Sequence, residues 1–134
     1  MALIIREVNN LILSTAPTHI VKSVAPSTIP ELFSQPTLVI WSGASDHTIF
    51  GDPSVNWAFR ALHDALHLKT RIGFSPESEI ELGRIQANQY TGLMADIVYI
   101  EVAGQAAHFL KTGQFVENQV EFTIKSLQAL GYKF

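Results

Sequence analysis

The sequence predicts an α+β domain dominated by helices, with three or four packed helices from residue 53 onward and a short sheet or extended part before them. The first observation behind this prediction is a change of composition near residue 53. Residues 1–54 are rich in β-branched residues, serine and threonine and contain five prolines, whereas residues 55–134 contain only Pro76. The second observation is a series of helix start and stop signals in the later part.

Length and composition predict a single domain that spans residues 1–134. The chain is 47% hydrophobic and 16% charged, so it has enough apolar residues to bury a core. Its formal net charge of −3 excludes the broad basic surface of a general nucleic-acid-binding protein. No apolar run reaches the roughly 18 residues that a membrane span needs, and residues 1–13 lack the basic start of a secretory signal. We therefore expect a cytoplasmic protein, and the low charge also fits a homo-oligomer.

The chain contains no cysteine. Disulfides, thiolate metal ligands and cysteine nucleophiles are therefore excluded together. Any bound metal must be held by histidine, aspartate or glutamate.

Before residue 53, two segments carry a readable pattern. Residues 3–13 fit either a helix, from the spacing of their apolar side chains, or a hairpin, because Asn9-Asn10 separates two apolar runs. Residues 37–41 form a short apolar run between Pro36 and Ser42-Gly43, which predicts a strand. A polar loop is expected from there to Asp52.

Four helices are predicted after residue 53, each marked by a capping residue at its start or a glycine after its end. Their predicted ranges are 53–71, 76–90, 93–112 and 117–130. Asp52 and Ser75 are the predicted N-caps of the first two helices, because each is followed by a proline. Gly113 and Gly131 are predicted to end the last two.

The first of these helices carries the chemical signal. At about 100° per residue its polar side chains fall within an arc of roughly 100°, and nearly all its other residues are apolar. These residues, called the polar stripe below, are Asn56, Arg60, His63, Asp64, His67 and Arg71. Solvated helix faces are usually built from glutamate, lysine, glutamine and serine, so this composition favours a functional face over an ordinary wet one.

His63 and His67 are four residues apart, which stacks two imidazoles on one helical face where both can reach one cation. Two imidazoles and a carboxylate suit zinc, ferrous iron or a similar divalent ion. In the alternative interpretation, one histidine bonds a neighbouring carbonyl and the other is solvated. The pair predicts a divalent metal site, with zinc or iron as the cation.

The third ligand is expected from another helix, and two glutamates qualify. Glu79 lies near the start of the second helix, where the helix dipole already favours an acid, and Gly83 on the same face allows close approach. Glu101 stands between two apolar residues of the third helix, where a cation or an arginine is expected beside it. The choice between them stays open. The supporting polar residues expected around the site are Asn56, Gln86, Tyr90 and Gln105.

Arg60 and Asp64 are also four residues apart, and a structural salt bridge is the default interpretation of such a pair. In a catalytic site, Asp64 would instead act as a base or orient a ligand. Arg60 would bind an anionic group of the substrate.

The polar stripe and the segments after it form a motif that resembles a bacteriophage-encoded family of small proteins and polyprotein segments. The resemblance rests on Asn56-x-x-Phe59-Arg60-x-x-His63-Asp64-x-x-His67, on Gly73-Phe74 and Glu79, and on a later Glu101-x-x-Gly104-Gln105. It covers roughly residues 55–110, and Leu66 stands where many members carry glycine. It implies a phage origin, the same site residues and a location in the host cytoplasm or the virion, but no particular reaction.

Two known metal chemistries are similar to this pattern. Zincin metallopeptidases use His-Glu-x-x-His with the glutamate as general base, and here Asp64 takes that position with a shorter side chain. Non-haem iron oxygenases also use two histidines and a carboxylate, but those with a His-Asp string are much longer. Hydrolysis is therefore the favoured chemistry.

Three functions follow from these residues. The first is a small metal-dependent hydrolase. The second is a non-catalytic phage virion or host-modulating protein that uses the polar stripe as a structural ion site or interaction surface. The third is a metal-independent binder of a small anion through Asn56, Arg60 and Arg71.

Overall fold

The computed structural model describes residues 2–23 and 37–134. Within them helices dominate and two short strands form a small sheet, which confirms the predicted helix-dominated α+β class. The contacts along the chain group into two compact units, Met1–Arg71 and Ile72–Phe134.

In residues 2–23 and 37–71, the first unit contains two helices and the sheet. Its elements are α1 (Ala2–Thr15), β1 (His19–Lys22), β2 (Leu38–Trp41) and α2 (Pro53–Thr70). The segment that fitted either a helix or a hairpin is helical, and Val8 and Ile12 form its buried stripe. Asn9 makes no turn, because it lies inside α1 and its side-chain amide donates a hydrogen bond to the carbonyl of Phe50 at 2.9 Å.

The sheet pairs β1 and β2 in parallel, with His19 beside Leu38 and Lys22 beside Trp41. Strand β2 confirms the strand predicted at residues 37–41. Strand β1 was not predicted, because its four residues follow a Pro- and Thr-rich stretch without a longer apolar run. The part before residue 53 thus contains the expected sheet but opens with a helix, and residues 24–36 lie outside the described residues.

Helix α2 forms where the sequence predicts it. The Asp52 carboxylate accepts a hydrogen bond from the Ser54 amide at 2.9 Å, and Pro53 takes the first helical position. The helix ends at Arg71, whose left-handed backbone (φ 64°) lets its amide donate to the His67 carbonyl at 2.8 Å. One face of α2 is buried in the core of the first unit, through Val55, Ala58, Phe59, Ala61 and Leu66.

The second unit contains three helices. They are α3 (Pro76–Ala87), α4 (residues 92–112) and α5 (Gln119–Ala129). Helix α3 ends three residues before the predicted position. Helix α4 covers the predicted range but is not uniform: α-helical Gly92–Tyr99 and Gln105–Thr112 flank a π-helical turn at Ile100–Gly104. Nothing in the spacing of its apolar residues predicted that turn.

Helix α3 approaches the π-helical turn closely at Gly83. A Cβ atom on Gly83 would lie 2.7 Å from the backbone nitrogen of Ala103 and 2.8 Å from its Cβ. Only a residue without a side chain fits at this contact. The close approach predicted for Gly83 is therefore confirmed, and Ala103 is the residue it contacts.

Helix α5 begins after Asn118, whose side chain accepts a hydrogen bond from the Glu121 amide at 3.0 Å. Its fully buried side chains are Thr123 and Leu127. Val120 and Ile124, the other apolar residues at helical spacing from Leu127, are only partly buried. Thr123 lies one turn before Leu127 and takes the buried position.

Candidate metal centre

Helix α2 brings the two imidazoles of the polar stripe into contact near its C-terminal end. The Nε2 atoms of His63 and His67 are 3.1 Å apart. The ring centroids are 4.6 Å apart and the ring planes cross at 84°. His67 is fully buried, whereas His63 is partly exposed.

This separation suits two ligands of one ion. Two nitrogens that are each about 2.0–2.1 Å from a zinc ion, at the tetrahedral angle, are about 3.3 Å apart. The observed 3.1 Å between the Nε2 atoms is close to that value. It is also the length of an N–H···N hydrogen bond between the two rings, in which one imidazole donates and the other accepts.

The end of α2 is also electrostatically suited to a cation. His67 and Lys69 lie in the last turn of α2, where the unpaired carbonyls carry partial negative charge. The partial charge favours a bound cation there, as it favours basic side chains.

Glu79 is held in the first turn of α3. Ser75 caps this helix by accepting a hydrogen bond from the Ser78 amide at 3.1 Å, and the Glu79 amide donates to the Ser75 carbonyl at 2.9 Å. One nitrogen each of His63 and His67 and one carboxylate oxygen of Glu79 lie within 4.8 Å of one another. Across residues 2–23 and 37–134, this group can hold a metal ion, and no such group includes Glu101.

Glu101 lies in the π-helical turn and has neutral partners. Its two carboxylate oxygens accept hydrogen bonds from Gln105 Nε2 at 3.0 Å and from Thr123 Oγ1 at 2.7 Å. Burial raises the pKa of Glu101 to about 7, although both hydrogen bonds act in the opposite direction. The expected cation or arginine is replaced by an amide and a hydroxyl. Sequence reasoning missed Thr123, whose only signal was its place one turn before Leu127.

Two members of the polar stripe bind the end of β2 and the loop that follows it. The buried amide of Asn56 donates to Ser45 Oγ at 2.9 Å. Arg60 donates to the backbone carbonyl of Trp41, and its guanidinium lies 5.2 Å from the centre of the Trp41 ring. Burial lowers the pKa of Arg60, and the charge of Asp64 opposes that shift. Asn56 thus attaches the loop to α2, and Arg60 attaches the last residue of β2.

The remaining candidate residues occupy separate positions. Asp64 is partly buried beside His63 in α2. Gln86 is buried in α3, one turn after Gly83. Tyr90 lies beyond the end of α3, and burial raises its pKa. Their predicted roles around the site stay predictions.

No family model, curated protein or solved structure matches this chain. In the part of the chain that the structure describes, no helix has both the length and the apolar composition needed to cross a membrane.

Proposed function

We propose that His63, His67 and Glu79 bind one divalent cation of the zinc or iron class, and that the protein is a small metal-dependent hydrolase. The observation that carries this proposal is the 3.1 Å separation of the two Nε2 atoms. The Glu79 carboxylate oxygen within 4.8 Å of both nitrogens adds the anionic ligand. Two neutral imidazoles and one carboxylate form a ligand set typical of catalytic zinc and ferrous iron sites.

Three protein ligands would leave a coordination position open, and a divalent cation held this way would polarise a substrate oxygen and acidify a water molecule. The partly exposed His63 gives this centre an approach from solvent. A structural metal site, by contrast, is usually closed by four protein ligands.

Asp64 is the proposed base. It follows His63 directly in α2 and is partly buried, in the position where zincins carry their general-base glutamate. In this role its carboxylate accepts a proton from the attacking water. Arg60 has a smaller part in the proposal, because its guanidinium already binds the Trp41 carbonyl and lies over the indole.

A non-catalytic ion site is the second candidate. One observation favours it: Asn56 and Arg60, one third of the polar stripe, bind the loop after β2 and the last residue of β2, respectively. The phage origin suggested by the motif, with a place in the virion or the host cytoplasm, belongs to this proposal as well.

Metal content tests the site. We expect near-stoichiometric zinc or iron in the tag-free wild-type protein, measured by inductively coupled plasma mass spectrometry. The metal content should fall at least tenfold in each of three variants, because each removes one of the three ligands. These variants are His63→Ala, His67→Ala and Glu79→Gln. Glu101→Gln is the matched glutamate control, and His47→Ala, which removes an exposed loop histidine, is the matched histidine control.

Both controls should retain the metal. A wild-type protein that is metal-free and takes up neither ion on reloading would contradict the proposal. Equal metal content in the wild type and in His63→Ala would also contradict it.

A further inference from the structure

Among residues 2–23 and 37–134, Arg60 has no carboxylate in hydrogen-bond contact. Its partners are the backbone carbonyl and the ring of Trp41, and Asp64 acts on it through its charge alone. The Arg60 side chain is partly buried. A partly buried charge is normally matched by an opposite charge in direct contact, because its lost hydration is otherwise not replaced. An anion from outside the chain would supply that match.

The guanidinium of Arg60 retains most of its hydrogen-bonding capacity. It carries five N–H donors in a planar fork, and the Trp41 carbonyl accepts from one nitrogen, Nη1. That hydrogen bond lies at the exposed surface of the protein. A planar fork of donors matches two oxygens of a carboxylate or a phosphate group. The donors on Nε and Nη2 are therefore suited to an anionic oxygen group.

Trp41 places an apolar ring beside that guanidinium. It is the last residue of β2, and 48% of its surface is exposed. The guanidinium carbon of Arg60 lies 5.2 Å from the centre of the ring. Tryptophan and arginine are enriched among the residues that contribute most to binding. A ligand that contacts both side chains would carry an apolar group next to its anion.

The residues after β2 hold the Trp41 ring in place. Gly43 packs against the ring, and a Cβ atom added to Gly43 would overlap three ring atoms. The Ser42 carbonyl accepts a hydrogen bond from Trp57 Nε1 of α2 at 3.3 Å. A binding group that is held in advance loses little conformational freedom when a ligand binds.

Arg60 lies one helical turn before the histidines of the candidate metal centre. It precedes His63 by three residues and Asp64 by four, so the three side chains share a face of α2. At about 1.5 Å per residue, Arg60 and His63 are about 4.5 Å apart along the helix axis. An anion on Arg60 would therefore lie close to the bond that the proposed centre attacks.

We propose that Arg60 and Trp41 form a subsite for an anionic oxygen group, either a carboxylate or a phosphate, that is attached to an apolar group. Arg60 binds the anion through its remaining N–H donors, and Trp41 contacts the apolar group. As a description of the substrate, this inference rests on the proposed function: the anion would lie next to the hydrolysed bond. Binding of the anion itself does not require the metal.

Calorimetric titration of the chelator-treated full chain tests the subsite with three probes. N-acetylphenylalanine carries a carboxylate near an aromatic ring, phenyl phosphate carries a phosphate, and N-acetylphenylalanine amide is the matched uncharged probe. We expect the wild type to bind at least one anion roughly tenfold more tightly than the amide, because charge-assisted hydrogen bonds contribute about this much. The anion that binds more tightly identifies the preferred group.

Arg60→Gln should remove this preference, so that the anion and the amide bind with similar Kd. Arg84→Gln, which changes an exposed arginine of α3, should keep it. In nitrogen-15 NMR spectra, the indole N–H resonance of Trp41, assigned with Trp41→Phe, should shift as the anion is added to the wild type and should not shift in Arg60→Gln.

The inference is overturned if the wild type binds neither anion more tightly than the amide, or if Arg60→Gln keeps the preference. The first of these results does not depend on the folding of any variant. A metal-free protein that prefers the anion would contradict the hydrolase and support the subsite. A metal-loaded protein without the preference would contradict the subsite alone.

Discussion

At the scale of single residues, position along α2 determines what each polar side chain does. Asn56 and Arg60 lie in the first half of the helix, and they bind Ser45 in the loop after β2 and Trp41 at the end of β2. His63 and His67 lie near its end and contact each other. One stripe of similar polarity therefore combines a loop anchor with a candidate metal centre, and substitutions in its two halves should affect different properties.

Asp64 allows the catalytic and the non-catalytic candidates to be separated. We expect Asp64→Asn to keep its metal content but to lose hydrolytic activity by roughly 10²–10⁴-fold, since loss of a general base typically costs this much. The measurement is turnover of chromogenic esters, phosphodiesters and peptides by metal-loaded wild type and variant. Activity in Asp64→Asn equal to wild type would remove Asp64 from the mechanism, and a metal-loaded wild type without turnover would favour a non-catalytic ion site.

At the scale of elements, the second unit depends on a close contact between α3 and the π-helical turn of α4. Gly83 supplies the space, because any Cβ atom there would overlap the backbone of Ala103. Gly104, at the end of the same turn, is different: its nearest neighbours would lie 3.6 Å from an added Cβ, which is ordinary van der Waals contact. The two helical glycines are thus a matched pair.

Gly83→Ala should destabilise the protein by about 1–3 kcal/mol, because overpacking outweighs the gain of up to about 1 kcal/mol in helix propensity. Gly104→Ala should be neutral or stabilising by up to about 1 kcal/mol, since it gains propensity without a clash. Denaturant unfolding of both variants against wild type measures the difference. Equal effects of the two substitutions would show that the contact at Gly83 adapts to a side chain.

At the scale of the whole molecule, metal binding should be linked to stability. A ligand that binds only the folded state stabilises it by about 2.7 kcal/mol at one hundred times its Kd. We therefore expect added Zn²⁺ to raise the melting temperature of the chelator-treated wild type by several degrees. The double variant His63→Ala/His67→Ala should melt at the same temperature with and without zinc. A zinc-induced rise of similar size in that variant would assign the effect to another site.

Local geometry could be predicted from the sequence. The start of α2 at Asp52-Pro53 and the end of α4 at Gly113 follow from capping chemistry, which involves only neighbouring residues. The contact between His63 and His67 follows from helical periodicity, since side chains four residues apart lie on the same face of a helix. These features depend on interactions within about one helical turn, and the amino-acid sequence by itself determines them.

Only the tertiary structure decided the partners that are distant in the chain. Glu79 and Glu101 both qualified as the third ligand, and the packing of the elements distinguishes them. Glu79 lies near the imidazoles, whereas one carboxylate oxygen of Glu101 accepts a hydrogen bond from Thr123, which is 22 residues away in the chain. The contact of Arg60 with Trp41 likewise joins residues 19 apart. Helical spacing fixes which face a side chain occupies, but the residue opposite that face depends on how the elements pack.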